Sequence, residues 1–286
     1  MIFVMSTKIF YILILVSCFC VCGCTKAQDL TTPNKSFKTE VEKPQKPEKI
    51  ENPGKVIHVL VALCDNENQG IVPVPAHLGN GTDPAKNLYW GAAFGIKTFF
   101  TKSTNWEKIA DFQNPKENVL ERIVFKYKNK DIFLVADAYD GSKMKQTIDD
   151  FFAAVSGNKL ENVETNGKTL QIFGSANLVA FVGHNGLMDF NLKSQPVKSD
   201  EEKRDAVILA CASRNYFSAP LKKTGAHPVL WTSNLMAPEA YILHDALEGW
   251  VNGEPNEEIR TRGAKAYAKY QKISLKAAQN LLVTGW

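Results

Sequence analysis

The chain has 286 residues, 44% of them hydrophobic, and 34 Lys and Arg against 30 Asp and Glu give a net charge of +4. That apolar content excludes a disordered protein and supports a sizeable folded core. The charge is nearly balanced and lysine is scattered without a basic stripe, which argues against nucleic acid as a partner.

Residues 1–24 hold a short lysine-bearing start and the apolar run IFYILILVSCFCVCGC, which has the size of a signal h-region and is short for a membrane span. The run ends in Val21-Cys22-Gly23-Cys24, which resembles the bacterial lipobox. That resemblance implies that Cys24 is lipidated, becomes the mature N-terminus and anchors the protein to a membrane of the bacterial cell envelope. An ordinary secretory signal cut nearby is the alternative. The cysteine spacing is not that of a zinc site, and neither a metal nor another cofactor is expected. Residues 25–54 are rich in Lys, Glu, Pro and Thr with almost no aliphatic content, and read as a flexible tether. Residues 55–286 then form a single α/β domain. With the leader removed and Cys24 lipidated, Cys64 and Cys211 are the domain's thiols. Either they pair, as is common in exported proteins, or at least one is kept for its reactivity.

KVIHVLVALC (55–64) is a continuous apolar run rich in β-branched residues, the pattern of a strand buried on both faces of a parallel sheet. In the loop that follows, the spacing of Asp65, Glu67 and Gly70 faintly echoes a calcium loop, but its twelfth position is Ala76 and calcium is set aside. Asp83 as N-cap and Pro84 at the first turn, with Leu88, Ala92, Ile96 and Phe99 on one face, predict a helix. ERIVFKYKNKDIFLVADAYD predicts two strands around a polar turn, and Ser142 opens a helix carrying Met144, Ile148, Phe151, Phe152 and Val155 that Gly157 stops. Residues 158–168 read as a polar excursion. LVAFVGHNGLMD (178–189) and DAVILACASRNYF (205–217) each begin as an apolar strand, HPVLWTSN (227–234) is a further strand, and three helices follow Pro238. The alternation specifies a mainly parallel sheet flanked by helices on both faces.

Ligands of such sheets gather at the carboxyl ends of the strands, where Cys64, His184 and Cys211 all fall. A thiol nucleophile needs an imidazole close enough to take its proton and later return it to a leaving amine. His58 alternates into a buried strand; His227 and His244 lack such a partner; His77 lies in a turn-rich loop that could reach the site. Trp90, Trp231 and Trp250 are core or rim aromatics.

An apolar strand ending in His-Gly, followed by one ending in Ala-Cys, is the signature of the caspase-like cysteine peptidases, a group that includes the gingipains, clostripain, legumain and bacterial CHAT domains. This sequence resembles that group over about residues 55–253. The resemblance implies a caspase-like fold, a peptide or protein substrate, His184 as general base and acid, and Cys211 as nucleophile. It further implies an oxyanion hole built from the backbone N–H of Cys211 and one near Gly186. Here Asn185 stands between His184 and Gly186, where the family has glycine directly after the histidine. Asp65 reads either as a pocket acid favouring a basic side chain or as a solvated loop acid. Two other readings stay open: a caspase-like domain that binds without cleaving, and an unrelated α/β envelope lipoprotein acting in binding.

Overall fold

The computed structural model describes residues 47–286; the signal run, Cys24 and residues 25–46 of the expected tether lie outside them. The strands are β1 (Lys55–Ala62), β2 (Trp106–Lys116), β3 (Val119–Tyr127), β4 (Ile132–Tyr139), β5 (Leu160–Thr165), β6 (Lys168–Phe173), β7 (Leu178–Val182), β8 (Asp205–Leu209), β9 (His227–Thr232) and β10 (Leu282–Val283). The helices are α1 (Ile96–Thr101), α2 (Met144–Val155), α3 (Ser213–Thr224), α4 (Ala240–Val251), α5 (Asn256–Gln271) and α6 (Leu275–Leu281). Among the described residues no helix is long and apolar enough to cross a membrane.

Eight strands form one sheet in the order β10-β9-β8-β7-β1-β4-β3-β2. The central strands β9, β8, β7, β1 and β4 are parallel, and antiparallel partners close both edges. Side chains alternate across the sheet. Ile57, Val59 and Val61 of β1 face a core completed by Trp90, Tyr241 and Leu247, whereas Val56, Leu60 and Ala62 face one completed by Ile148, Phe151 and Phe217. Helices therefore cover both faces, as the strand and helix alternation requires. The histidine strand β7 lies between β1 and β8, so the three strands that end near Cys64, His184 and Cys211 are parallel neighbours.

Three segments differ from the sequence expectation. The helix expected from Asp83 forms only at Ile96–Thr101; residues 83–95 run in turns. The buried Asn87 side chain causes this, because it accepts from Cys64 N–H at 3.0 Å and donates to the carbonyls of Cys64 at 2.8 Å and Asn80 at 2.9 Å. Gly91 and Gly95 lower the helical preference further. The polar excursion is the hairpin β5–β6, turned by Asn166 and Gly167 with φ of 47° and 72°, as an Asn-Gly pair favours. Ordered contacts also begin before Lys55: Asn52 Nδ2 donates to Gln171 O and Ser175 O, and Gln171 Nε2 donates to Glu48 O.

The sheet carries a buried charge. Asp137 on β4 is inaccessible and meets Arg122 on β3 through two bonds of 2.6 and 2.8 Å. Arg122 also reaches Glu161 of β5 at 2.6 Å, Lys116 bonds Glu161 at 2.7 Å, and His58 of β1 lies 3.2 Å from Asp137. Burial alone would raise the Asp137 carboxyl, but the Arg122 guanidinium, together with His58 and Lys116, outweighs it and holds the group well below the usual carboxylate range. Burial lowers His58, which is therefore neutral at pH 7.

Replacing Arg122 by Ala leaves that carboxylate buried without its main partner and should cost about 3–5 kcal/mol of stability at pH 7. Burial then dominates and raises the Asp137 carboxyl, so the variant takes up a proton on folding as pH falls and its deficit narrows. Urea midpoints of both proteins at pH 7 and pH 4.5 check this; an equal deficit at the two pH values would contradict it.

Candidate active site

Strand register sets the height of the site. Val61 of β1, Val182 of β7 and Leu209 of β8 stand side by side across the sheet. His184 and Cys211 each follow that row by two residues, and adjacent strands lie about 4.8 Å apart, so both leave the sheet at one level. Gly183 makes the turn possible: its φ is 151°, its N–H donates to Leu209 O at 3.2 Å, and a Cβ there would stand 2.9 Å from Ala62 O.

Asn185 ties the two strand ends together. It is fully buried, donates from Nδ2 to Cys211 O at 2.6 Å and accepts from Leu187 N–H at 3.1 Å. The second bond opens a short 3-10 turn, Gly186–Met188, that carries Asp189 back to His184, and His184 Nε2 lies 2.6 Å from Asp189 Oδ2. Nδ1 is the ring nitrogen left for another partner.

Cys211 sits on a strained elbow between β8 and α3. Ala212 has φ 46° and ψ 36°, a left-handed conformation that costs a non-glycine residue about 1 kcal/mol. The elbow is fixed from three sides: Ala212 N–H donates to Asn234 O at 2.8 Å, Ser213 N–H to Thr232 Oγ1 at 3.1 Å, and Thr232 Oγ1 to Ala210 O. The thiol is partly exposed and lies 3.4 Å from Met236 N and 3.5 Å from Met236 O. Among the described residues His184 and Cys211 share no direct hydrogen bond. Both line one cavity of about 550 Å³ with Gly183, Tyr89, Met236 and Glu239. An imidazole, a thiol and a concave surface thus meet at the carboxyl ends of β7 and β8, an arrangement able to deprotonate the thiol in front of a bound electrophile.

The other residues singled out in the sequence fall elsewhere. Cys64 and Cys211 are both free, so they do not form a disulfide in this structure. Cys64 is buried and does not line the cavity; burial pushes its thiol up to about 11, against the lowering effect of Tyr89. Asp65 lines a separate cavity and accepts from the N–H groups of Glu67 and Asn68 at 2.9 and 3.1 Å, which makes it the organiser of its own loop. Gly186 does not line the cavity either. Its N–H donates to His184 O at 3.1 Å, because the turn begun by Asn185 swings it against Met144 and Phe190. Cys211 N–H makes no hydrogen bond among the described residues. His77 is exposed outside the cavity, His227 bonds Asn256, His244 bonds Ser103, and Trp231 is core. Sequence reasoning missed Asp189, Asn185 as a clamp, and Met236; of these only Asp189, five residues past the histidine, carried a local signal.

No protein-family model matches the chain, and no curated protein or solved structure is significantly similar to it.

The two thiols should separate under alkylation. At pH 8 about one Cys64 in a thousand is thiolate when its thiol titrates at about 11, and the residue is also closed to solvent. Of these two thiols, iodoacetamide on the folded protein should therefore modify Cys211 and spare Cys64, which reacts after denaturation. Peptide mass mapping before and after urea checks this.

Proposed function

We propose that the chain is a cysteine peptidase of the caspase-like kind, lipid-anchored through Cys24 in a bacterial cell envelope. The observation that carries the reading is the meeting of His184 and Cys211 in one cavity at the ends of adjacent parallel strands. In the reaction, His184 takes the Cys211 proton, and the thiolate adds to the carbonyl carbon of a peptide bond while the carbonyl π electrons move to oxygen. The resulting oxyanion is met by Cys211 N–H, a donor that nothing else occupies among the described residues. Collapse breaks the C–N bond as the imidazolium gives its proton to the leaving amine. Water, deprotonated by the same imidazole, then hydrolyses the thioester and restores the thiol. Asp189 is a positioning residue: bound to Nε2, it fixes the ring's orientation and leaves Nδ1 for the thiol proton.

One observation favours a second reading, a caspase-like domain that binds peptides without cleaving them. Gly186 N–H is spent inside its own turn, which leaves the oxyanion with a single donor, and loss of one donor costs such a reaction about a hundredfold or more.

Cleavage of a library of short peptides separates the two. The peptidase reading expects turnover that Cys211→Ala abolishes, a loss of about a hundredfold or more in His184→Ala, and a smaller loss confined to kcat in Asp189→Asn. Binding that survives all three variants, with no turnover in the parent, would establish the second reading.

Anchoring has its own test. In bacterial cells the parent protein should fractionate with membranes and carry a lipid-modified N-terminal cysteine by mass spectrometry. Cys24→Ala should remain unprocessed and lack the lipid mass; membrane-bound, lipid-bearing Cys24→Ala would overturn the assignment.

A further inference from the structure

The walls of the cavity beside Cys211 are strongly one-sided in chemistry. Ile71, Val74, Leu88, Met236 and Pro238 form them, and no lysine or arginine is among the lining residues. His184 and Glu239 are the two titratable side chains there besides Tyr89 and Cys211. Glu239 is already engaged: Oε2 accepts from Tyr241 OH at 2.7 Å and from Gln271 Nε2 at 3.0 Å. Burial raises its carboxyl, and no cation is among the groups that shift it.

The rim repeats the pattern. Val72, Leu235 and Met188 are 87%, 67% and 43% exposed, and these three of the nine exposed large hydrophobic side chains among the described residues border this one cavity. Soluble proteins seldom cluster apolar side chains at the surface except where something binds. The rim comes from three separate segments: the loop after β1, the turn after His184, and the loop after β9. Convergence on the thiol from three directions marks a shared occupant.

We infer that the cavity receives an uncharged apolar side chain, of the size of leucine, methionine or phenylalanine, from the residue on the acyl side of the bond presented to Cys211. This rests on the reading of Cys211 as facing a peptide. An acidic side chain would enter with no cation to receive it and would meet Glu239, a like charge in a poorly solvated site. A lysine or arginine would meet one carboxylate that already accepts two hydrogen bonds, and would give up its hydration along apolar walls. An apolar side chain gives up nothing, and the two methionines adapt to differences in its shape.

The test uses the intact protein and acetylated tripeptide amides, Ala-Ala-Xaa, with Xaa as Leu, Met, Phe, Lys, Arg or Asp. Two quantities are measured: protection of Cys211 against iodoacetamide, and cleavage of the matching fluorogenic amides. Calorimetric titration of Cys211→Ala with the same peptides gives affinities that do not depend on thiol chemistry. The Leu, Met and Phe peptides should bind at least about tenfold more tightly than the charged ones, the usual scale of discrimination in an apolar pocket. Ile71→Asp, in a partly exposed loop position, should remove that margin, with Cys64 still unreactive until denaturation as the check that the fold is kept. Tightest binding of Lys, Arg or Asp, or no difference across the series, would overturn the inference, and cleavage with such a preference would leave the peptidase reading standing. Apolar preference in binding with no cleavage would do the reverse.

Discussion

A full negative charge on Asp137, closed off from water inside the central sheet, is the constraint around which this fold is arranged. Such a charge is tolerated only where cations and hydrogen bonds replace its lost hydration. Here the replacement comes from several strands at once: His58 of β1, Arg122 of β3 and Lys116 at the end of β2, with Glu161 of the β5–β6 hairpin balancing the excess positive charge. A one-residue slip of β1 or β3 against β4 would turn His58 or Arg122 to the opposite face and strand the carboxylate. The register of β1 to β4 is thereby fixed by charge as well as by shape. The apolar strands β7 and β8 carry no comparable marker of their own, but they pair outward from β1 in sequence, Val61 to Val182 to Leu209. The level at which His184 and Cys211 emerge is thus inherited from an electrostatic requirement two strands away.

Within the site, hydrogen bonds from side chains do what backbone geometry alone would leave loose. The left-handed Ala212 is an unfavourable conformation for its residue type, and a strained turn persists only when its surroundings over-determine it. The side chains of Asn185 and Thr232 supply that over-determination by holding the carbonyls of Cys211 and Ala210, joined by the backbone carbonyl of Asn234, which holds the N–H of Ala212. The Asn185 clamp acts on both strand ends simultaneously, since one amide grips the cysteine loop while its carbonyl starts the turn that returns Asp189 to the histidine. A glycine at that position would permit the turn but would provide neither bond. The residue that departs from the caspase-like pattern therefore has a structural role of its own, and the same turn removes Gly186 N–H from the cavity.

What the sequence made legible follows from where each signal resides. β1, β7 and β8 are buried on both faces, so they read as unbroken apolar runs, and the polar residues that interrupt them mark the carboxyl ends. Other features depend on partners far away in sequence. Residues 83–95 have a helical pattern, yet Asn87 spends its side chain on Cys64, 23 residues earlier, and the turns win. The edge strand β2 is largely exposed and lacks the alternation that identifies a strand. The β5–β6 hairpin was marked by Asn166-Gly167 between two β-capable runs, a local signal outweighed by the polarity around it. Met236 reaches the thiol from 25 residues away, and nothing near Cys211 announces it.

The first described residues are tied to the sheet rather than to the cavity. Glu48, Ile50 and Asn52 bond Gln171 at the amino end of the sheet, beside the starts of β1 and β7. The cavity lies at the other end of the same strands, and an eight-residue strand such as β1 is about 26 Å long. The described chain thus enters at the end of the sheet opposite the thiol, and residues 48–52 leave the rim of the cavity uncovered.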